Sequence, residues 1–314
     1  MIKHFLSFEK QISDLEGKIE ELRHLSSGGD INIAEEIGKL QGAVSEKLKT
    51  TYSQLSPWQK VQVSRHPERP HFEDIINHLF DDYTPLSGDR NFADDNALTG
   101  GTAFFKGKSV VVIGIDKGKN TNDRVLKNFG MVRPEGYRKA IRLMHLADQF
   151  SIPIFMFVDT AGAYPGKGAE ERGQAEAIAK CIEKSLQISV PSISVITGEG
   201  GSGGAVALAV ANNTLMLEHS IYSVISPEGC SSILWRSAEK ADQAANALKL
   251  TAQDMERFKI IDEIIPEPIG GAHRDPQLAI STIGEVLEMR LNSLLSLSKN
   301  ELIKLKEEKY LKIG

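Results

Sequence analysis

The chain has 314 residues, of which 41% are hydrophobic and 25% charged, an ordinary globular mixture that excludes disorder throughout, collagen-like repeats and low complexity. Lysine and arginine total 37 against 42 aspartates and glutamates, so the net charge of −5 lacks the basic excess expected of a general nucleic-acid binder. A chain of this length predicts one large domain or two modest ones, able to bury a core without disulfides or structural metal.

The first ten residues meet charge before any apolar stretch develops, unlike a secretory signal. No apolar run approaches the ~18 residues of a membrane span. Cys181 and Cys230 form no C-x-x-C pair and cannot assemble a zinc site. Two cysteines in a chain of this size suit a reducing compartment. The expectation is a soluble cytoplasmic protein with no metal in this chain and no membrane association.

Phe8, Ile12, Leu15, Ile19 and Leu22 recur at helical spacing, as do Ile33, Ile37, Leu40, Val44 and Leu48, with turn chemistry at Ser26-Ser27-Gly28-Gly29-Asp30 between them. Residues 1–52 are therefore expected to form a helical hairpin, packed on itself, on the body or on another subunit. Residues 53–100 read as ordered connections with one short helix near Asp74 to Phe80. His66 and His71 have no carboxylate motif around them and prolines interrupt their spacing, which weakens a metal reading.

From Gly100 the chain takes on α/β rhythm. Apolar runs at Val110–Ile115, Ile152–Val158 and Val190–Ile196 predict strands buried on both faces. Helical patterns at Glu135–Phe150, Glu170–Leu186 and Gly204–Ala211 follow them in turn, which implies crossover connections and a mainly parallel sheet. A helix over Pro276–Leu297 closes the body. The Lys- and Glu-rich residues after Ser298 predict a solvated or frayed tail. The domain reading is a helical extension at 1–52, a body at 53–290 and a helical tail at 291–314.

The sharpest local feature is Gly198-Glu199-Gly200-Gly201-Ser202-Gly203-Gly204-Ala205, with five glycines in seven positions, after a strand and before a helix. Such a stretch lets backbone N–H groups approach an electron-rich ligand at a helix N-terminus. Four readings remain open. Gly198, Gly200 and Gly203 fit G-x-G-x-x-G, with Glu218 where a ribose-binding acid would stand. No Gly-Lys-Ser/Thr follows, which excludes a Walker A loop. Gly200-Gly201-Ser202-Gly203-Gly204 fits a nucleophile elbow, with Asp262 and His273 available as partners. An oxyanion hole of main-chain N–H groups is the third reading. It also accounts for a second glycine turn, Asp159-Thr160-Ala161-Gly162-Ala163-Tyr164-Pro165-Gly166, at the equivalent end of a neighbouring strand. The fourth is that both turns merely make tight corners.

Several longer stretches narrow the choice: Arg65-His66-Pro67, Gly88-Asp89-Arg90, Asn128-Phe129-Gly130-Met131, Pro134-Glu135-Gly136-Tyr137-Arg138-Lys139-Ala140, Gly168-Ala169-Glu170-Glu171-Arg172-Gly173-Gln174, Tyr222-Ser223-Val224-Ile225-Ser226-Pro227-Glu228-Gly229-Cys230, Ile264-Ile265-Pro266-Glu267-Pro268 and Gly270-Gly271-Ala272-His273-Arg274. With the two glycine turns, they give the chain a close resemblance, over about residues 5–290, to the carboxyltransferase alpha-subunit family of bacterial multisubunit acetyl-CoA carboxylases. Three departures stand out. Ala161 replaces a usual proline, Ile115-Asp116 replaces a usual Gly-His, and the tail after residue 295 follows no family pattern.

The resemblance implies an α/β crotonase-like (ClpP/crotonase) fold of repeated ββα units. It implies transfer of a carboxyl group from carboxybiotin, carried on a biotin carboxyl carrier protein, to acetyl-CoA, giving malonyl-CoA for fatty acid synthesis. The implied partners are a zinc-ribbon-bearing beta subunit in an α2β2 assembly, the carrier protein and biotin carboxylase. Carboxybiotin and a coenzyme A thioester are the implied small molecules. Gly203 and Gly204 are the expected oxyanion donors, biotin itself acting as the base. Gly162, Ala163, Tyr164, Gly201, Ser202 and Ala205 are expected to line the substrate crevice. Lys117, Lys119, Arg124, Lys127 and Arg133 form a basic stretch, either near CoA phosphates or simply solvated, and Glu170, Glu171 and Arg172 read as helix-start charges. The competing activity is a self-sufficient enoyl-CoA hydratase or isomerase on the same fold. An NAD-linked oxidoreductase and a non-enzymatic scaffold built on the hairpin are more distant alternatives.

Overall fold

The computed structural model describes residues 4–25 and 31–313. Eight strands form one sheet: β1 Asp81–Pro85, β2 Leu98–Phe105, β3 Lys108–Ile115, β4 Ile154–Thr160, β5 Ser192–Gly201, β6 Asn213–Leu217, β7 Ile221–Ser223 and β8 Glu263–Ile265. Their order is β1-β2-β3-β4-β5-β6-β8, with β7 paired to the far end of β5. β1 to β3 are antiparallel neighbours, and every pairing from β3 onward is parallel. The three apolar runs seen in the sequence are β3, β4 and β5, at the centre.

Alternation along these strands feeds two cores. Val111, Ile113, Ile115, Ile154, Met156 and Val158 face one side, with Tyr137, Leu143 and Met144 of the helix Pro134–Phe150 and Cys181 of the helix Gln174–Gln187. Val110, Val112, Phe155 and Phe157 face the other, packed on Phe72, Phe80, Phe105 and the helix Pro276–Leu295. Burial on both faces explains why the period-2 signal is masked by continuous hydrophobicity. The expected helix at Glu170–Leu186 is divided into Lys167–Glu171 and Gln174–Gln187, because Gly173 takes a left-handed φ of 81° between them. β6, β7 and β8 are too short, at 5, 3 and 3 residues, to carry a period of their own.

The helices Lys10–Leu25 and Ile31–Tyr52 form the expected hairpin through Ile12, Ile19, Val44 and Leu48. The expected break at 26–30 lies outside the described residues. The hairpin also packs on the body. Glu9 is fully buried and accepts hydrogen bonds from Tyr52 Oη (2.9 Å) and Arg274 Nη2 (3.3 Å), while Arg274 Nη1 donates to Glu16 (2.6 Å).

The tail departs from expectation. The helix Lys299–Leu311 is docked, and Lys306 is fully buried. Lys306 Nζ donates to the carbonyls of Ser185 (2.9 Å) and Ile188 (2.6 Å) at the C-terminal end of the helix Gln174–Gln187, where a cation suits the helix dipole. Burial pushes its ammonium pKa down to about 8. Tyr310 Oη accepts from Ala211 N (3.0 Å), just past the helix Ser202–Ala209. An amphipathic-period reading misses this contact, because one buried lysine satisfies backbone rather than filling a core. Replacing Lys306 by Met leaves two carbonyls without that partner, and is expected to cost about 1–3 kcal/mol. Tryptic release of the tail at lower denaturant than in the parent chain is the check.

A second buried pair ties the sheet to the N-terminal connections. Arg69 grips Glu267 with two nitrogens at 2.7 and 2.8 Å, and Glu267 also accepts from His219 N and Ala272 N. Burial alone would raise this carboxyl, but Arg69 and the backbone donors bring it down from 4.5 to about 2. A carboxylate with a depressed folded-state pKa contributes stability above its unfolded pKa and loses it as pH falls through the folded value. The window is therefore from about pH 4.5 down to 2, and a shift of that size is worth about 3 kcal/mol. Glu267→Gln is expected to lower the urea midpoint at pH 7 and to flatten its acid dependence in that window.

Candidate functional site

The expected glycine loop is not a loop. β5 continues through Gly198 to Gly201, and the helix Ser202–Ala209 starts at the next residue. The glycines serve close approach. A Cβ at Gly198 would lie 2.4 Å from Asp159 Oδ1, and one at Gly201 would lie 2.2 Å from the Ala161 carbonyl oxygen.

The reason is a bulge. β4 and β5 pair at Val158–Ile196 and again at Thr160–Gly200. Between those positions β4 has only Asp159, whereas β5 has Thr197, Gly198 and Glu199. Such insertions bend a strand and re-aim the residues beyond them. Past the bulge, β5 pairs with β7 instead of β6 (Glu199–Ile221, Gly200–Tyr222, Gly201–Ser223). Backbone groups freed by the bulge find side-chain partners: Thr197 O accepts from Arg69 Nη2 (2.9 Å), and Glu199 N donates to Asp159 Oδ1 (2.8 Å).

The chain then turns sharply. Ser202 adopts a left-handed φ of 55°, a region sparsely used by residues other than glycine and concentrated at functional sites. Ser202 and Gly203 line a cleft of about 360 Å3 with Val206, Tyr222, Ser223, Val224, Leu248, Met255 and Ile260. The first N–H groups of a helix have no intrahelical partner, so this helix start presents donors beside an apolar cavity. A larger groove, about 580 Å3, lies between the two N-terminal helices and Ile269, and none of the expected site residues lines it.

The two glycine turns do meet. Gly162, at φ 147°, lies across from Gly201, and a Cβ on Gly204 would sit 2.7 Å from Ala163 N and 2.9 Å from Tyr137 Oη. Tyr137 is fully buried and its hydroxyl has no hydrogen-bond partner among the described residues. Tyr164 is held under Arg133, whose guanidinium carbon lies 4.4 Å above its ring, and its N–H donates to Val132 O. Ala205 is fully buried in the core and does not line the cleft.

Two of the open readings lose their partners. Asp262 accepts from Thr214 N and Lys309 Nζ. Thr214 is level with Ser194 on β5, eight residues before Ser202, or about 25 Å at strand rise. His273 is buried and stacked on His66 at 3.9 Å, where burial, with His66 and Arg69, pushes its pKa down to about 2. Ser202 thus has the backbone of a nucleophile elbow without the expected base or acid. For the dinucleotide reading, the extended backbone at Gly198–Gly201 is strand rather than phosphate loop, and Glu218 Oε2 already accepts from Glu267 N. His66 and His71 also part company: His66 bonds His4 O, and His71 caps the helix Phe72–Leu79.

The basic stretch is matched largely from within the chain. Lys119 pairs with Glu73 and Asp74, Lys127 with Asp116 and Asp123, and Arg124 donates to Gly118 O. Lys117 reaches behind the site to Asp159 (2.7 Å) and Glu199 (2.6 Å), and Arg65 Nε donates to the other Glu199 oxygen (2.6 Å). Burial would raise the Glu199 carboxyl, but Lys117 and Arg65 together hold it below the usual carboxylate range. Sequence reasoning missed this cluster, whose members lie far apart in the chain. Its one local signal is a glycine, Gly198, flanking an acid. Of the helix-start charges, Glu171 pairs with Lys167, while Arg172 pairs with Glu135 and stacks on Phe92.

A family model described as acetyl co-enzyme A carboxylase carboxyltransferase-like matches residues 5–314. The chain belongs to that family. It is 59% identical over 311 residues to the acetyl-coenzyme A carboxylase carboxyl transferase subunit alpha of Paramagnetospirillum magneticum, covering 99% of this chain and 98% of the relative. It is 58% identical, with the same coverage, to that of Rhodospirillum centenum. Among solved structures it is similar to transcarboxylase 12S (TM-score 0.58, 21% identity, 74% of this chain and 44% of that one). It is also similar to a Pseudomonas malonate decarboxylase hetero-tetramer (TM-score 0.56, 14% identity, 67% and 84%). Identities this low show the fold alone, and that fold is the α/β crotonase-like one implied by the sequence. Among the described residues no helix is long and apolar enough to cross a membrane.

The two glycines at the start of the helix Ser202–Ala209 are not equivalent. At Gly203 an added Cβ meets only Ile178 Cγ2, at an ordinary 3.5 Å, so Gly203→Ala is expected to be neutral or stabilising by up to about 1 kcal/mol through helix propensity. At Gly204 the obstacle is backbone, and overpacking of about 1–3 kcal/mol outweighs that gain. Urea unfolding of the two variants, with limited proteolysis of the 161–166 turn, checks the contrast.

Proposed function

We propose that this chain is the alpha component of an acetyl-CoA carboxylase carboxyltransferase. With a beta subunit it transfers the carboxyl group of carboxybiotin, presented on a biotin carboxyl carrier protein, to acetyl-CoA, and malonyl-CoA is the product. The observation that carries the reading is the strained strand-to-helix corner at Ser202, which starts a helix beside an apolar cleft, in a chain whose near-full-length relatives bear that name.

The fit to a carboxylated ureido ring is chemical. The cleft lining of Val206, Tyr222, Val224, Leu248, Met255 and Ile260 suits an uncharged bicycle, and no charged side chain lines it. The N–H groups of Gly203 and Gly204 hold the oxygen on which negative charge grows as the carboxyl group leaves. Gly201 and Ser202 fix the angle of that donor pair. Gly162 and Ala163 do not line the cleft but support the donor pair from the side through close backbone approach to Gly201 and Gly204, Tyr164 follows them, and the backbone at Ala205 continues the helix start. The carboxylated ring supplies the carboxyl group and, after its release, the base, so no His–Asp pair is asked of the protein. The partner subunit then supplies most of the acyl-CoA site, and biotin carboxylase reloads the carrier. Free Cys181 and Cys230 suit a cytoplasmic location for the assembly.

The hydratase alternative asks for a carboxylate beside a thioester. The cleft is lined by none, and the nearby Glu199 is neutralised by Arg65 and Lys117. Mixing the chain with its candidate beta partner and measuring malonyl-CoA-dependent carboxylation of free biotin separates the two. Activity is expected only from the mixture, and hydration of crotonyl-CoA by this chain alone would overturn the reading. Within the active mixture, Gly203→Ala keeps the N–H and is expected to retain most activity. Gly203→Pro removes one donor near the start of the helix, where proline is tolerated, and is expected to lower kcat roughly a hundredfold or more.

A further inference from the structure

The cluster beside the corner has no place in the transfer chemistry, yet it joins five segments around it. Lys117 follows β3, Asp159 ends β4, and Glu199 closes the β5 bulge. Arg65 caps the helix Pro57–Ser64, and Glu228 begins the helix Pro227–Trp235. Lys117 Nζ bridges Asp159 and Glu199 at 2.7 and 2.6 Å, and Arg65 bridges Glu199 and Glu228 at 2.6 and 2.5 Å. Both oxygens of Glu199 are thereby held by cations, and its N–H is held by Asp159. Glu199 is only 7% exposed and stands two residues before Gly201 and four before Gly203.

The two inserted residues have no partner on β4, and past them the strand end is held by the Thr160–Gly200 pair and a three-residue ladder to β7. So short a ladder leaves room for side-chain contacts to set how far the strand end rotates. Lys117, Asp159 and Glu199 are largely buried, while the Arg65–Glu228 pair is about a third exposed; buried pairs seldom stabilise a fold more than apolar packing would, but they demand one geometry. We propose that Lys117 and Arg65, acting through Asp159 and Glu199, are positioning residues that set the bulge and so aim the Gly203 N–H at the reacting oxygen. This rests on the carboxyl-transfer reading. The residues touch no substrate. Their effect runs through the angle of a backbone donor.

The test uses the reconstituted alpha–beta mixture, with kcat and KM for malonyl-CoA and biotin measured beside the thermal midpoint. Lys117→Met and Glu199→Ala are expected to lower kcat about a hundredfold, the usual cost of a misplaced group. Each KM should stay within about twofold, since a donor used only at the transition state leaves ground-state binding alone. Glu199→Gln keeps the side chain's shape and one acceptor for Arg65 or Lys117, and is expected to recover kcat to within about tenfold of the parent. Should Lys117→Met fail to assemble, Asp159→Asn takes its place with the same criteria, because it keeps an acceptor for Glu199 N–H while weakening the hold on Lys117. Variants with parental kcat overturn the proposal, as does a loss of activity that tracks the loss of folded protein with Gln no better than Ala. An inactive parent mixture overturns the carboxyl-transfer reading itself, so the two failures are distinguishable.

Discussion

The whole corner depends on two backbones touching. The Ala161 carbonyl lies so close to Gly201 that no side chain fits between them, and Ala163 N also lies too close to Gly204 for a Cβ. Contact at that range needs glycine on one side and a strand end bent out of the sheet plane on the other. The β5 bulge supplies the bend, and β7 catches the redirected strand. The helix start, the cleft beside it and the left-handed Ser202 all result from that one departure from regular pairing.

Charge and apolarity are separated across this corner. On the cleft side lie aliphatic side chains, a tyrosine, two serines and Gly203 at the helix start. Behind it lie two cations and three carboxylates in mutual contact. The separation matters physically. A main-chain N–H acts strongly on a growing negative charge only where the local dielectric is low, and a formal charge in the cleft would compete with it. The ion pairs meet none of the side chains that line the cleft.

The far end of the same helix is braced as well. Tyr310 bonds the backbone just past Ala209, and Lys306 caps the preceding helix. The C-terminal segment therefore holds two helices whose opposite ends face the site, one of them the helix that begins at Ser202. The N-terminal hairpin is tied to the body through Glu9, Tyr52 and Arg274, next to the stacked His66–His273 pair.

The sequence alone determined the α/β order, the three central strands, the hairpin stripes and the two glycine turns, because each is written as a local period or a local composition. The longer motifs carried the family. Other features were not legible there. The glycine stretch reads as a loop, but it is strand, since only the pairing of Thr160 with Gly200 exposes the two inserted residues. Ser202, Asp262 and His273 are in the right order for a triad, but the sheet sets Asp262 at the opposite end of the strands and stacks His273 on His66. The tail reads as solvated, but Lys306 finds carbonyls in the interior. Lys117 and Glu199 lie 82 residues apart, and nothing local joins them. Periodicity specifies which face of an element is buried. Which side chains meet across elements is set by register and strand order, and those exist only once the chain has folded.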